Sequence, residues 1–418
     1  MKKASYTKIT HCRICSSEQL FPILSLGSMP IPNGFLKKED LNRKEEKYPL
    51  EVCGCEACGL VQLRYIVDPA VMFGNYLYIP SASQTRINNF TKIAQEINEI
   101  IPLTENDLVV DVGSNDGSLL TAYKNLGIQI LGVDPAENLV TIAKLHGIPT
   151  ELGFFSPIMA KKIVKEYKKA SVITATNVFA HIGDLHAFMK GVEILLADKG
   201  IFMVQFPYLL DLLRENQFDT IYHEHLSYFS LKPLLMLTEK TGLEIYDIIP
   251  DYLDGGSLKV LWKKKSNDAL QVNQKHISVI QKLEEKYKLY ERQTYEKFAK
   301  RVQLLKDKVI KKLDDLKKKQ KTIVGYGAAA KGNVLLHYFD LSADTIQYLV
   351  DSTPYKQGLY TPGTHIPIFS ESKISEDIPD YILILAWNFK EEIMKKNTQF
   401  TRHGGKFMIA IPKLMMLQ

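Results

Sequence analysis

The stretch Asp107–Gly127, "DLVVDVGSNDGSLLTAYKNLG", followed by Ile128–Ile148, "IQILGVDPAENLVTIAKLHGI", decides how this chain folds. An apolar run from Leu108 to Val112 reads as a buried strand. It ends in a turn carrying Gly113 and Gly117 and passes into a helical pattern. A second apolar run, Ile128 to Val133, ends in Asp134. This is a strand, glycine-rich turn, helix, strand, acid unit. Its glycines let the backbone approach a ligand closely, and an acid at the end of the second strand can hydrogen-bond ribose hydroxyls. A dinucleotide fold prefers G-x-G-x-x-G; here the run is D-x-G-S-N-D-G, with one wide glycine gap.

The same grammar extends outward. "ASVITATNVFAHI" reads as a buried strand ending in Asn177 and His181, and "KGIFMVQFPYL" supplies another. Strands and helices alternate from about 95 to 245, which implies a doubly wound sheet. After a long helix the pattern restarts. "KTIVGYGAAAKGNVLLHYF" is again strand, glycine-rich turn and helix, "IQYLVDS" is a strand ending in Asp351, and "DYILILAWNFKEEIM" adds a strand followed by Trp387 and Asn388. Here a second nucleotide site and plain packing are both open readings, with Gly325, Gly327 and Lys331 candidates for packing or phosphate contact.

All five cysteines lie before position 60. Cys12 and Cys15 form "CRIC", and Cys55 and Cys58 form "CEAC". Two C-x-x-C pairs separated by a long loop form the ligand pattern of a tetrahedral zinc site, and four thiolates leave no open position for substrate, so the metal is expected to be structural. Cys53 lacks the spacing and is left out. The segment "LGSMPIPNGFL" between the pairs is expected to be loop, and the aromatic stretch beyond the second pair carries Tyr76 and Tyr78.

At 418 residues, the chain is too long for one core. Its 45% hydrophobic and 24% charged content is that of a soluble globular protein. No apolar run approaches the ~20 residues that span a bilayer. The two lysines at the start precede no apolar segment, so a signal peptide is not expected, and the cytoplasm is the expected location. The net charge of +6 comes largely from Lys282 to Lys321. Phe298, Val302, Leu305, Val309, Leu313 and Leu316 recur there at helical spacing, so the lysines are expected to be a solvated helix face.

"FDTIYHEHLSYFS", Phe218 to Ser230, packs Tyr222, His223, Glu224, His225 and Tyr228 into one run. Metal binding, acid/base chemistry and coincidence all remain open from the residues alone.

The D-x-G-S-N-D-G run resembles the first motif of class I S-adenosylmethionine methyltransferases, and Asp134 resembles their ribose-binding acid. Together with the cysteine pairs, the Tyr-x-Glu-His element and the carboxy-terminal "GYGAAAKG", "DSTPYKQGLYTPGTHIPI" and "AWN" motifs, essentially the whole chain resembles the sugar-nucleotide C-methyltransferases. That resemblance implies an α/β fold in three parts: a small zinc-binding domain over 1–75, a doubly wound methyltransferase core over 76–265, and a long helix with a second Rossmann-like domain over 266–418 that helps hold the sugar nucleotide. It implies S-adenosylmethionine and structural zinc as cofactors. It implies methylation at C-3 of a nucleotide-linked 4-keto-deoxysugar, dTDP- or GDP-linked, and no nucleic-acid or membrane partner. Asp111, Gly113, Asn115, Gly117 and Asp134 map onto the cofactor site, with Phe155 and Asn177 near its adenine and methionine ends. Tyr222, Glu224 and His225 map onto the sugar site together with Tyr76 and His181. His225 is the candidate base, Glu224 orients the site or binds a sugar hydroxyl, and Tyr76 and Tyr222 are the phenols that stabilise an enolate. His223 falls at the variable position. "DGGSLK" begins with Asp254 where the family has histidine. The competing readings are an O- or N-methyltransferase on a sugar nucleotide and a zinc-ribbon nucleic-acid-binding methyltransferase.

Overall fold

The computed structural model describes residues 5–417 apart from 74–78 and 253–254. Its centre is a seven-stranded sheet. In spatial order the strands are Leu243–Asp251, Ser257–Lys264, Leu196–Pro207, Ala170–Thr176, Leu108–Val112, Gln129–Asp134 and Thr150–Leu152. The last five are parallel, and Ser257–Lys264 runs antiparallel to both of its neighbours. All five residues of Leu108–Val112 are buried, as expected of a strand covered by helices on both faces. The chain winds outward in one direction from this strand and in the other from Ala170–Thr176. The loops leaving these two neighbours therefore part, and a crevice opens at the reversal.

A six-stranded sheet repeats the plan. Its spatial order is Ile368–Phe369, Leu349–Val350, Ile323–Tyr326, Tyr381–Ile384, Lys406–Ile409 and Met415–Leu417. Only the last strand is antiparallel. Here the winding reverses between Ile323–Tyr326 and Tyr381–Ile384. The lysine-rich stretch forms two helices, Gln274–Lys286 and Arg292–Lys318. The stripe from Phe298 to Leu316 is buried along the second, with Tyr295 added; lysines cover the other face. Among the described residues no helix is long and apolar enough to cross a membrane.

The amino-terminal part is a four-stranded sheet. Three of its strands come from the first 63 residues, and the fourth is Ser227–Tyr228, lent by the central region. The strand Leu20–Met29 runs into the segment expected to be loop. Beyond it, residues 30–36 wedge against the carboxy-terminal unit. Asn333 Nδ2 donates to the Pro32 carbonyl at 2.6 Å, and Leu36 and Tyr360 exchange backbone hydrogen bonds at 2.9 and 2.8 Å. The three parts interlock through this wedge and the lent strand.

Candidate active site and metal centre

Each cysteine pair sits on a tight turn closed the same way. Ser16 N–H donates to the Cys12 carbonyl and Gly59 N–H to the Cys55 carbonyl, both at 2.9 Å, and Ser16 and Gly59 both adopt left-handed backbone. The turns aim four thiols inward. Cys12 and Cys58 Sγ are 3.5 Å apart, as are Cys15 and Cys55 Sγ, and all four sulfurs lie within 4.8 Å of one another. A tetrahedron of ~2.3 Å zinc–sulfur bonds separates its sulfurs by roughly 3.8 Å, so the cluster fits the ion. A disulfide requires ~2.05 Å and is not present in either pair. The bond between Cys12 and Cys58 holds Cys12 below the usual thiol range and Cys58 above it. Cys53 is buried apart from them, its Sγ 3.6 Å from the Gln62 carbonyl. Among the described residues, no other group of three or more histidine, cysteine or acidic side chains comes together as metal ligands, so "HEH" does not form a second centre.

At the reversal in the central sheet, Gly113 adopts φ +71°, and a Cβ there would lie 2.6 Å from Val178 Cγ2. Both conformation and space therefore demand glycine. Asn115 is also left-handed, at φ 52°, a conformation asparagine tolerates. Its N–H donates to Asp134 Oδ2 at 2.9 Å, and Ala136 N–H donates to Oδ1 at 2.9 Å. Asp111 is buried and accepts from Thr174 Oγ1 at 2.6 Å. Burial, with the nearby Asp134 charge, pushes its pKa up to about 7. Burial also raises Asp134. Two poorly hydrated carboxyls in a glycine-lined cleft favour a ligand that brings hydroxyl donors or positive charge. Asp111, Gly113, Asn115, Asp134 and Asn177 all line one cavity of about 250 Å³.

Two expected cofactor residues do not line it. Gly117 caps the helix Ser118–Lys124 at φ 80° and makes room for Ile148, since a Cβ there would lie 2.8 Å from Ile148 Cγ1. Phe155 packs edge-on against Phe188, ring centroids 5.2 Å apart, which turns its ring into the core.

The cavity continues to Tyr222, His225 and His181. His225 Nδ1 lies 2.8 Å from the Thr220 carbonyl and Nε2 lies 2.6 Å from the Tyr222 hydroxyl. A carbonyl accepts only, so the proton is on Nδ1 and Nε2 accepts from the phenol. Burial, the His181 ring and the Lys331 charge hold the His225 pKa well below the usual imidazole range. The His181 ring centroid is 5.1 Å away, and burial lowers His181 to about 4. Glu224 does not line the cavity. Its Oε1 accepts from Asn33 Nδ2 at 2.6 Å, and it is Asn33 that enters the wall. His223 is fully buried, its Nε2 3.2 Å from the Tyr48 carbonyl; it packs the element against the amino-terminal sheet. Tyr76 and Asp254 lie outside the described residues.

Sequence reasoning missed part of the wall. Arg86 and Phe90 reach it from the helix Gln84–Ile100. The signal was present, because Arg86 occupies a position on the buried stripe of Phe90, Ile93, Ala94 and Ile97. Ala329 and Ala330, at the start of the helix Ala330–Tyr338, line the same cavity with Lys356, Ala386, Asn388 and Phe389, beside Lys331, which the sequence marks for packing or phosphate contact. Gly325 and Gly327 serve packing: a Cβ would lie 2.3 Å from Leu349 Cδ2 at the first and 2.7 Å from Ala386 Cβ at the second. Both sheet reversals therefore face one cavity.

Three family models match: a zinc binding domain at residues 12–73, a methyltransferase domain at 85–248, and a C-methyltransferase C-terminal domain at 252–412. The C-methyltransferase NovU of Streptomyces niveus is 36% identical over 407 residues, 97% of this chain and 96% of its own. A ubiquinone biosynthesis O-methyltransferase of Bartonella quintana is 27% identical over 24% of this chain and 41% of its own. Among solved structures, a SAM-dependent methyltransferase from Anabaena variabilis aligns at 13% identity and a TM-score of 0.34, covering 46% of this chain and 97% of its own. S-adenosylmethionine is the cofactor of this family of methyltransferase domains and of this chain, and zinc the ion of the cysteine cluster. With the match running the length of the chain through all three parts, the protein belongs to the S-adenosylmethionine-dependent C-methyltransferases.

Proposed function

We propose that the protein methylates C-3, the carbon next to the ketone, of a nucleotide-linked 4-keto-deoxysugar, with dTDP or GDP as the nucleotide, in branched-sugar biosynthesis in the cytoplasm. The observation that carries this reading is the Tyr222–His225 pair, set in the wall of a cavity bounded by both sheet reversals. Open α/β sheets bind ligands at such reversals. One takes the cofactor, and the other, with Lys331 in its wall, suits the phosphates of a sugar nucleotide.

S-adenosylmethionine supplies, when bound, an electrophilic methyl group. The chain's own task is to make carbon nucleophilic. Hydrogen on a carbon beside a ketone is acidic only when the enolate is stabilised, so a base and a partner for the developing oxyanion are both needed. Neutral His225 offers an accepting Nε2 that already takes the Tyr222 O–H hydrogen bond. The carbon proton passes to the Tyr222 oxygen as the phenolic proton moves to Nε2, and the electron pair stays on the substrate. Tyr222 then stands in the proton path as the proposed relay to His225. Lys331 contributes positive charge to the same wall. Glu224 works through Asn33, fixing its amide at the cavity edge. Arg86, buried at the cofactor end, suits the methionyl carboxylate.

The test is incubation with S-adenosylmethionine and a panel of nucleotide-linked 4-ketohexoses, read by mass and by fragmentation to place the methyl group. Methyl on carbon, with exchange of the C-3 hydrogen for solvent deuterium, is expected. Methyl on oxygen or nitrogen, or turnover without C-3 exchange, overturns the reading.

A further inference from the structure

Asp219 is fully buried, on the single helical turn Phe218–Thr220 that leads directly into the Tyr222–His225 element. Among the described residues, its one well-formed side-chain hydrogen bond is to the other half of the molecule. Trp387 Nε1–H, from the turn after the carboxy-terminal strand Tyr381–Ile384, donates to Asp219 Oδ2 at 2.7 Å. Oδ1 stays buried outside hydrogen-bond geometry, with the N–H groups of Asp219 and Thr220 nearby. Burying a carboxylate costs several kcal/mol unless it is compensated, so the placement demands a reason.

Three neighbours supply one. The Lys331 ammonium lies 5.2 Å over the Trp387 ring, and its charge acts on both Asp219 and His225. The carbonyl of Thr220, the residue after Asp219, accepts the His225 Nδ1 proton. Gln217 Nε2 donates to the Gly255 carbonyl at 2.6 Å, and a Cβ on Gly255 would lie 2.4 Å from Trp387 Cη2, so that glycine makes the seat for the ring. Three segments thus meet on the indole, and the turn that fixes the His225 tautomer is anchored by it.

We propose that Asp219 and Trp387 are positioning residues, and that through their hydrogen bond the carboxy-terminal unit sets the His225 tautomer and holds Lys331 at the reaction centre. The carboxy-terminal unit is then part of the proton-transfer apparatus as well as of the substrate site. The kinetic part of this inference rests on His225 acting in proton removal; the tautomer part does not.

The test uses the full-length zinc-loaded protein, with Trp387→Phe removing the donor while keeping a ring, and Asp219→Asn keeping an acceptor while removing the charge. Nitrogen-15 spectra of the histidine rings, with His225 assigned by its loss in His225→Asn, report the tautomer without substrate. Wild type should show a single Nδ1–H form, and Trp387→Phe a mixture. In Asp219→Asn the uncompensated Lys331 charge should move the imidazole titration to lower pH; the other ionisable groups around His225 are His181, Tyr222 and Tyr228. With substrate, kcat should fall about 10–100-fold, as for a misplaced catalytic group, while the KM for S-adenosylmethionine stays unchanged. If Trp387→Phe does not fold, judged by melting temperature, Asp219→Asn carries the test alone. Folded variants that retain the wild-type tautomer, titration and kcat overturn the proposal. A changed tautomer in a protein that never methylates carbon would overturn the reading of the reaction and leave the anchoring bond standing.

Discussion

The two glycine-rich turns that face each other across the cavity are built alike and do different work. In each, an acid at the end of the second strand ties down the turn of the first: Asp134 accepts from Asn115 and Ala136 N–H, and Asp351 accepts from Ala328 and Thr353 N–H. The difference lies in the neighbours. Asp134 stands near Asp111, and among the described residues no lysine is paired to it. Asp351 has the buried Lys356 at 3.6 Å, whose Nζ also donates to the Ala328 carbonyl at 2.8 Å. The first turn presents unneutralised acid to a ligand with hydroxyls and positive charge. The second spends its acid on an internal cation and presents Lys331 instead. The shared motif builds a ledge, and the charge beside it decides what rests there.

The largest effect expected tests whether both turns depend on the amino-terminal wedge. Structural zinc contributes about 10–16 kcal/mol in small zinc domains. Cys55→Ser should therefore lose the metal and, with it, activity and the support of residues 30–36, while Cys53→Ser should retain about one zinc per chain by elemental analysis. A metal-free Cys55→Ser protein with native melting temperature and turnover would break the claim. Between the turns, His225→Asn should lower kcat by about 10²–10⁴-fold with both ligands still bound, the usual contribution of a positioned base. A base must be unprotonated to act, and His225 titrates well below its usual value. The acid limb of kcat should accordingly lie below the ordinary imidazole pKa of ~6.5; a limb above that value assigns the base elsewhere.

Three substitutions then compare the turns directly. Asp351→Ala leaves Lys356 buried without its partner and should cost about 3–5 kcal/mol of stability by denaturant titration, with little change in S-adenosylmethionine affinity. Asp134→Ala should do the reverse, weakening the cofactor about 10- to 100-fold by calorimetry, the range of hydrogen bonds to a charged group. If the two give the same pattern, the turns are not functionally distinct. The smallest effect is that of Lys331→Met. It should raise the KM for the sugar nucleotide about tenfold, with a smaller fall in kcat as its charge leaves the neighbourhood of His225, and leave the cofactor KM alone, because one hydrogen bond to a charged group is worth on the order of 1.5 kcal/mol. A shift in the cofactor KM alone would reverse the assignment of the two halves.

What the sequence by itself determined are the features set by spacing along the chain. The two C-x-x-C pairs name their own metal because each closes a local turn, and Gly113 and Asp134 mark one wall of the cavity because a strand, a turn and a strand place them without help. The apolar stripe from Phe298 to Leu316 predicts its helix face for the same reason. What only the tertiary structure decided is direction and convergence. Phe155 turns into the core because Phe188 is there to receive it. Glu224 reaches Asn33 across 191 positions of sequence, and His223, at the variable position of its motif, is fully buried. Arg86, Lys331 and Trp387 join the site from three separate segments. Which partner a side chain meets across the molecule depends on how sheets twist and stack, and no local period carries that information.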